Sequence, residues 1–226
     1  DHRAAAPGAW LAPLLVALSA LAAGEALGLE GAAGLRPAAP VVYAGCVLAP
    51  LACFLPPPAG QGAAFWPLLT FSFAVLAAFL AEMRRYEKPG GVTANLAGAI
   101  LAIAYVGLLF AVVVLLRLGW GVAALASLVI VVKMGDTGAY TVGRLIGCHK
   151  MAPVLSPGKT WEGAAGAVAF SLLGSWLSFA WIVPALGVPG VETPQTSTEG
   201  WLLYGLLVGV AGMVGDLAES LLKRDV

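Results

Sequence analysis

The chain has 226 residues, of which 60% are hydrophobic and only 11% are charged. A soluble domain carries about 25% charged residues, so this composition leaves too few polar groups to cover a soluble globule. It excludes a secreted disulfide scaffold, a disordered chain and a soluble nucleic-acid binder, and a net charge of zero selects no polyanionic partner. We therefore expect an all-α polytopic integral membrane protein that does not bind nucleic acid.

Seven apolar stretches have about the length that a helix needs to cross a bilayer. They lie at about 10–29, 38–57, 62–81, 94–117, 119–135, 161–187 and 201–222. The second includes Pro40, Pro50 and Pro56, which predicts a kink. The pattern indicates a helical bundle of about seven transmembrane helices. We expect N-terminal transmembrane helices over 1–118 and a catalytic transmembrane region over 119–226, within a single membrane domain.

Basic residues are divided unequally between the two sides of this predicted topology. Ten of the 12 Lys and Arg residues fall on one side and two on the other. The positive-inside rule then places the 82–93 loop, the 136–160 loop and the C-terminus in the cytoplasm. The 188–200 loop, which has no Lys or Arg, is placed outside.

Charged residues are concentrated in two short segments, 133–163 and 216–226, which hold 11 of the 24. Two sets share the spacing of one helix face: Lys133, Asp136, Thr137 and Tyr140, and then Asp216, Glu219, Ser220 and Lys223. Ionisable groups in membrane helices are costly, which makes them functional candidates by default. Asp136 and Asp216 converging at the cytoplasmic edge would suit Mg²⁺, which takes one or two carboxylates plus substrate phosphates. Salt bridging within and between helices is the alternative explanation.

A polar segment reads SPGKTWEG at 156–163, where an apolar helix begins. Ser156 is a suitable N-cap, with Pro157 as the first helical residue. Free backbone amides, the Lys159 ammonium and the Ser156 and Thr160 hydroxyls would together form a phosphate cradle. Helix capping, with Lys159 and Trp161 as a membrane-edge anchor, explains the same residues without a ligand.

Glycines recur in the last predicted helix at 205, 209, 212 and 215. Gly205-x-x-x-Gly209 is typical of close packing between membrane helices. Small residues here would also let a lipid approach Asp216. Such glycine-lined helices permit a homodimer without requiring one.

These motifs together resemble those of the phosphatidate cytidylyltransferase family, also called CDP-diacylglycerol synthases. The similar segments are KMGDTGAY at 133–140, GR at 143–144, SPGKTWEG at 156–163 and GDLAESLLKR at 215–224. The resemblance is close over most of 120–226 and rests on hydropathy alone before that. The family's signature continues beyond Arg224 with a Lys-Asp pair and a Gly- and His-containing stretch. We therefore expect this chain to be truncated at its C-terminus, and such a fragment could be inactive.

The resemblance implies transfer of CMP from CTP to phosphatidic acid, which gives CDP-diacylglycerol and pyrophosphate in phospholipid biosynthesis. It implies an active face on the cytoplasmic side of the bacterial inner membrane, and Mg²⁺ with room for a second cation as cofactor. Asp216 is implied as the first metal ligand and Asp136 as the second, with Lys159 also catalytic. The implied substrate ligands are Ser156, Lys159 and Thr160 for the nucleotide phosphates, Lys223 and Arg224 for the lipid phosphate or pyrophosphate, and Arg144 in a supporting role.

Two alternatives remain open at this point. One is a related membrane enzyme that uses another nucleotide or an isoprenoid lipid. The other is a polytopic transporter, which predicts charges spread along a pore and often inverted repeats. Here the charges are concentrated at the predicted cytoplasmic side, and no internal repeat is visible in the sequence.

Overall fold

The computed structural model of the chain describes residues 9–186 and 198–224, and these are mostly helical. The helices are α1 (Ala12–Ala32), α2 (Ala39–Ala52), α3 (Phe65–Arg85), α4 (Val92–Ala102), α5 (Leu109–Ile146), α6 (Trp161–Leu177), α7 (Val183–Ala185) and α8 (Thr198–Arg224). A 3₁₀ turn, Ala9–Leu11, precedes α1. π-Helical segments join α4 to α5 (Ile103–Leu108) and α6 to α7 (Ser178–Ile182). The strands β1 (Lys150–Ala152) and β2 (Ser156–Thr160) form an antiparallel hairpin.

Five helical segments of the described chain are long and apolar enough to cross a membrane. They are Ala12–Ala32, Phe65–Arg85, Val92–Ile146, Trp161–Ala185 and Glu199–Arg224, and the 14-residue α2 is a shorter apolar helix. Large apolar side chains on these helices, such as Phe73 and Leu207, are more than half exposed, as a lipid-facing surface requires. The prediction of an all-α membrane protein is confirmed.

The predicted number of about seven transmembrane helices is not confirmed, because the described residues contain these five long segments and one shorter apolar helix, α2, which makes six. The predicted spans 94–117 and 119–135 form one helical run, Val92–Ile146, since no polar turn separates them. The predicted span 38–57 ends early, at Ala52, two residues after Pro50. The predicted outer loop at 188–200 lies mostly outside the described residues.

The long run is interrupted inside α5 at Gly121, where φ is 82° and ψ is −175°. This backbone conformation is open to glycine but not to residues with a Cβ. The described chain divides close to this point, between Gly119 and Trp120, into two compact units.

The first unit has a core of small and branched apolar side chains, which include Val42, Cys46, Ala74 and Ile103. A polar network lies at one end of α3. There Glu82, which is only 6% exposed, accepts hydrogen bonds from Arg85 at 3.3 Å and from the Asn95 amide at 3.4 Å. A buried carboxylate is tolerated only with such partners. The network therefore ties the end of α3 to the start of α4.

The second unit holds its helices close together through small residues. A Cβ atom on Gly209 would lie 2.8 Å from the Cβ of Ser171, and one on Gly205 would lie 2.9 Å from that of Ser175. These distances are too short for any side chain, so α8 approaches α6 nearly backbone to backbone. The predicted close packing of Gly205-x-x-x-Gly209 is confirmed, whereas Gly215 faces open space.

Candidate functional site

A cavity of about 700 Å³ lies in the second unit, between α5, α6, α8 and the hairpin. Its polar lining residues are Asp136, Tyr140, Arg144, Ser156, Lys159, Thr160, Ser171, Asp216 and Glu219. The remainder of the lining is mostly small or apolar, with Val132, Ala167 and Gly209 among its residues. Along α6 the lining extends from Gly163 to Ser171, about 12 Å at 1.5 Å per residue. The cavity therefore offers a charged end and an apolar interior.

Lys159 and Asp216 form an ion pair at the charged end, with 2.6 Å between Nζ and Oδ2. The Lys159 side chain is 21% exposed and that of Asp216 is 58% exposed. The contact lacks the alignment of a hydrogen bond, and the buried Nζ has hydrogens that no described group accepts. The Lys159 Nζ is thus shielded from solvent and short of acceptors, a need that an anionic ligand would satisfy.

The hairpin is irregular in a way that places Lys159. Lys150 pairs with Thr160 and Ala152 pairs with Ser156, so one residue of β1 lies opposite three residues of β2. Residues 157–159 form this bulge in β2. Bulges re-aim side chains and are common beside active sites. Lys159 is on this bulge and reaches α8, which its position in the sequence alone does not predict.

The predicted helix start at Pro157, with Ser156 as its N-cap, is wrong. Residues 156–160 are the strand β2, and α6 begins at Trp161. Thr160 is the N-cap, because its backbone is extended and its Oγ1 accepts a hydrogen bond from the Gly163 N–H at 3.1 Å. Ser156 and Thr160 pair with β1, which holds the segment extended instead of helical, and threonine caps a helix as serine does. Thr160 is buried, and its hydroxyl proton is still available to donate.

Asp136 lies on α5, which continues to Ile146, so the predicted loop at 136–160 begins eleven residues later than expected. The expected helix face is therefore present: Lys133 Nζ is 2.9 Å from Asp136 Oδ2. One turn further, Arg144 donates a hydrogen bond to the Tyr140 hydroxyl and stacks 5.8 Å from the centre of its ring. Asp136, Tyr140 and Arg144 all line the cavity.

Lys223 and Arg224 do not line this cavity in the described part of the chain. Both are exposed near the end of α8, where Lys223 donates a hydrogen bond to Glu219. The cavity instead includes Glu219, Tyr140 and Met151, to which the sequence pattern assigns no role. Glu219 and Tyr140 share helix faces with the two aspartates, and that spacing was the available signal.

The surroundings of Asp136 and Asp216 show what kind of metal site these carboxylates suit. Asp136 and Asp216 line the same cavity and each is paired with a lysine. Among the described residues, no group of three or more His, Cys, Asp or Glu side chains could hold a metal ion by itself. This donor set does not make a closed protein site. It fits the usual manner of Mg²⁺ binding, in which one or two carboxylates act together with substrate phosphates.

A sequence model described as the cytidylyltransferase family matches residues 4–226. The chain belongs to the cytidylyltransferase family. It is similar to the phosphatidate cytidylyltransferase of Staphylococcus saprophyticus, with 33% identity over 159 residues, or 70% of this chain and 54% of that protein. The enzymes of the same name from Staphylococcus aureus strain COL and Staphylococcus haemolyticus are 32% and 33% identical over the same shares.

The chain spans about half the length of the curated relatives that it matches. No solved structure matches it significantly. The family expected from the motifs is confirmed by these comparisons.

Proposed function

We propose that the whole protein transfers CMP from CTP to phosphatidic acid, and so forms CDP-diacylglycerol and pyrophosphate. The observation that carries this proposal is that one cavity has Lys159, Asp136 and Asp216 at a charged end and also has an apolar interior. One substrate is a water-soluble polyanion and the other is an anionic lipid, so their reaction needs both environments. Similarity to named phosphatidate cytidylyltransferases supports the choice of reaction.

In the proposed reaction, an oxygen of the lipid phosphate attacks the α-phosphorus of CTP. The bond from that phosphorus to the oxygen bridging to the β-phosphate breaks, and pyrophosphate leaves with the electron pair. Lys159 holds the nucleotide phosphates with its ammonium group, and Ser156 and Thr160 donate their hydroxyl protons. Arg144 assists from α5. Catalysis of this kind is mostly positioning and charge stabilisation.

Asp216 and Asp136 are the proposed ligands of Mg²⁺, and a second cation at the same site remains part of the proposal. When bound, the metal ion would neutralise phosphate charge where the two anions meet. Lys133 holds Asp136 through their ion pair rather than contacting substrate. A contact of Lys223 and Arg224 with the lipid phosphate or pyrophosphate remains a prediction from the motifs.

The proposal places the charged end of the cavity at the cytoplasmic face of the bacterial inner membrane. CTP would enter from the cytoplasm, and the lipid would enter from the bilayer towards the apolar interior. The asymmetry of Lys and Arg between the predicted loops supports this orientation. A homodimer remains a prediction.

Radiolabelled CTP tests the proposal, with the full-length protein in phosphatidic-acid mixed micelles, with and without Mg²⁺. We expect label to become lipid-soluble only when Mg²⁺ and phosphatidic acid are both present. Transfer of label from CTP to an isoprenoid phosphate would replace phosphatidic acid as the proposed acceptor. Transfer only when a different labelled nucleotide is supplied would replace CTP as the proposed donor. Folded protein that transfers none would overturn the enzymatic proposal.

The Asp216→Asn variant tests the metal assignment in the same assay. We expect the Mg²⁺-dependent turnover to be abolished, because the amide cannot supply a charged ligand. The matched control is Glu87→Gln, an exposed carboxylate of the first unit. Near-normal turnover of Asp216→Asn would remove this residue from the metal site.

A further inference from the structure

We infer that Glu162 is a positioning residue that clamps the base of the β1–β2 hairpin and thereby holds Lys159 against Asp216. The inference rests on the proposed function, in which Lys159 binds the nucleotide phosphates. Glu162 has no role in that proposal. It lies in the first turn of α6, three residues after Lys159.

The Glu162 carboxylate folds back from α6 onto the segment that joins α5 to β1. Oε2 accepts hydrogen bonds from the backbone N–H groups of Cys148 and His149, both at 3.2 Å. Oε1 accepts a further one from the His149 N–H at 3.3 Å and lies 2.6 Å from the His149 Nδ1. The side chain is 23% exposed. One carboxylate thus gathers two consecutive backbone amides and an imidazole.

The hairpin needs such an attachment. A two-stranded hairpin is at best marginally stable alone, and this one has strands of three and five residues with a bulge between their paired positions. At its base, the Trp161 N–H donates a hydrogen bond to the His149 carbonyl at 2.9 Å. Glu162 adds charge-assisted hydrogen bonds at the same place, which are about twice as strong as neutral ones. It therefore joins the entry of the hairpin to its exit.

Glu162 acts on Lys159 rather than on the substrates. In the described chain it is not among the residues that line the cavity. Its oxygens face the 148–149 backbone, and its link to the site runs through β2, which carries both the Lys159 bulge and the Thr160 cap. Loosening the clamp should release Lys159 from Asp216 without removing either group.

This mechanism predicts opposite changes in two binding constants of the full-length protein. In Glu162→Ala, the affinity for inorganic tripolyphosphate should fall by roughly tenfold, the size of one lost charge-assisted contact. The affinity for Mn²⁺ alone, followed by the electron paramagnetic resonance of the free ion, should rise severalfold. The reason is that Asp216 is no longer neutralised by Lys159. A general loss of structure would instead weaken both.

A double variant shows whether Glu162 works through Lys159. Lys159→Met with Glu162→Ala should match Lys159→Met alone in tripolyphosphate and Mn²⁺ binding. The reason is that Glu162 acts only by positioning the Lys159 ammonium group, which the first substitution has already removed. Glu162→Gln, which keeps the shape of the side chain, should show a smaller effect and guards against misfolding of the alanine variant. The matched control is Glu199→Ala, an exposed acidic residue in the first turn of α8, which should change neither affinity.

Three results would overturn the inference while leaving the proposed function intact. They are an unchanged tripolyphosphate affinity in Glu162→Ala, a loss of Mn²⁺ binding in Glu162→Ala as large as that in Asp216→Asn, and a double variant in which the effects of the two substitutions add. The second would make Glu162 a metal ligand. Wild-type protein that binds neither probe would overturn the proposed function of the site together with the inference.

Discussion

Lys159 and Asp216 lie on different elements, the β2 bulge and α8, yet their charged atoms are 2.6 Å apart. In this arrangement the proposed phosphate ligand and the proposed metal ligand neutralise each other. Binding of either ligand alone would have to break the pair, whereas a metal ion and a triphosphate together replace both halves of it. The two ligands should therefore assist each other in binding.

The first prediction is that removing the lysine improves metal binding. Lys159→Met frees the Asp216 carboxylate, so the affinity for Mn²⁺ alone should rise severalfold while that for tripolyphosphate falls. Calorimetric titration of the full-length protein measures both constants. The control is Lys150→Met, an exposed lysine of the same hairpin that is outside the cavity lining. A Mn²⁺ affinity that drops in Lys159→Met would contradict the mutual neutralisation.

The second prediction separates two arginines that the motifs both assign to substrate binding. Arg144 lines the cavity and Arg224 does not, within the described chain. Arg144→Gln should weaken tripolyphosphate binding severalfold. Arg224→Gln should change it by less than about twofold, since Arg224 is exposed outside the cavity and salt screens its charge. If Arg224→Gln has the larger effect, α8 extends the phosphate site beyond the cavity.

The third prediction concerns the cap on α6. Thr160→Val keeps the shape of the side chain but removes the oxygen that accepts from the Gly163 N–H. The free energy of unfolding should fall by about 1–2 kcal/mol, as for other lost N-caps, and Thr160→Ser should retain most of it. Thermal unfolding in detergent micelles compares the three proteins. Equal stability of the valine and serine variants would show that the cap contributes nothing.

The fourth prediction tests the close contact of α8 with α6. Gly209→Ala places a Cβ about where Ser171 already lies and should cost roughly 1–3 kcal/mol of stability. Gly215→Ala, on the same helix but facing open space, should be neutral or slightly stabilising because alanine favours helix. Adding Ser171→Gly to Gly209→Ala should recover part of the loss. Failure of this rescue would place the cause of the loss elsewhere.

Contacts that depend on local helical spacing could be predicted from the sequence. The pairs Lys133–Asp136 and Glu219–Lys223 follow from residues three and four apart on one helix, and both are present. Gly205 and Gly209 are likewise four residues apart, which places both on the face of α8 that packs against α6. The membrane class and the family could also be predicted from the sequence, since composition and short motifs do not depend on how the helices pack.

Tertiary structure decided the features that depend on distant residues. The segment 156–160 contains two residues that can cap a helix, Ser156 and Thr160, so its sequence does not decide where α6 begins. Pairing with 150–152 makes the segment a strand and leaves Thr160 as the cap. That pairing produces the bulge, and the bulge sends Lys159 to Asp216. The clamp by Glu162 likewise needs the turn at 147–149 to come back beside α6. A sequence pattern specifies which faces a helix presents, but the distance between two elements comes from their packing.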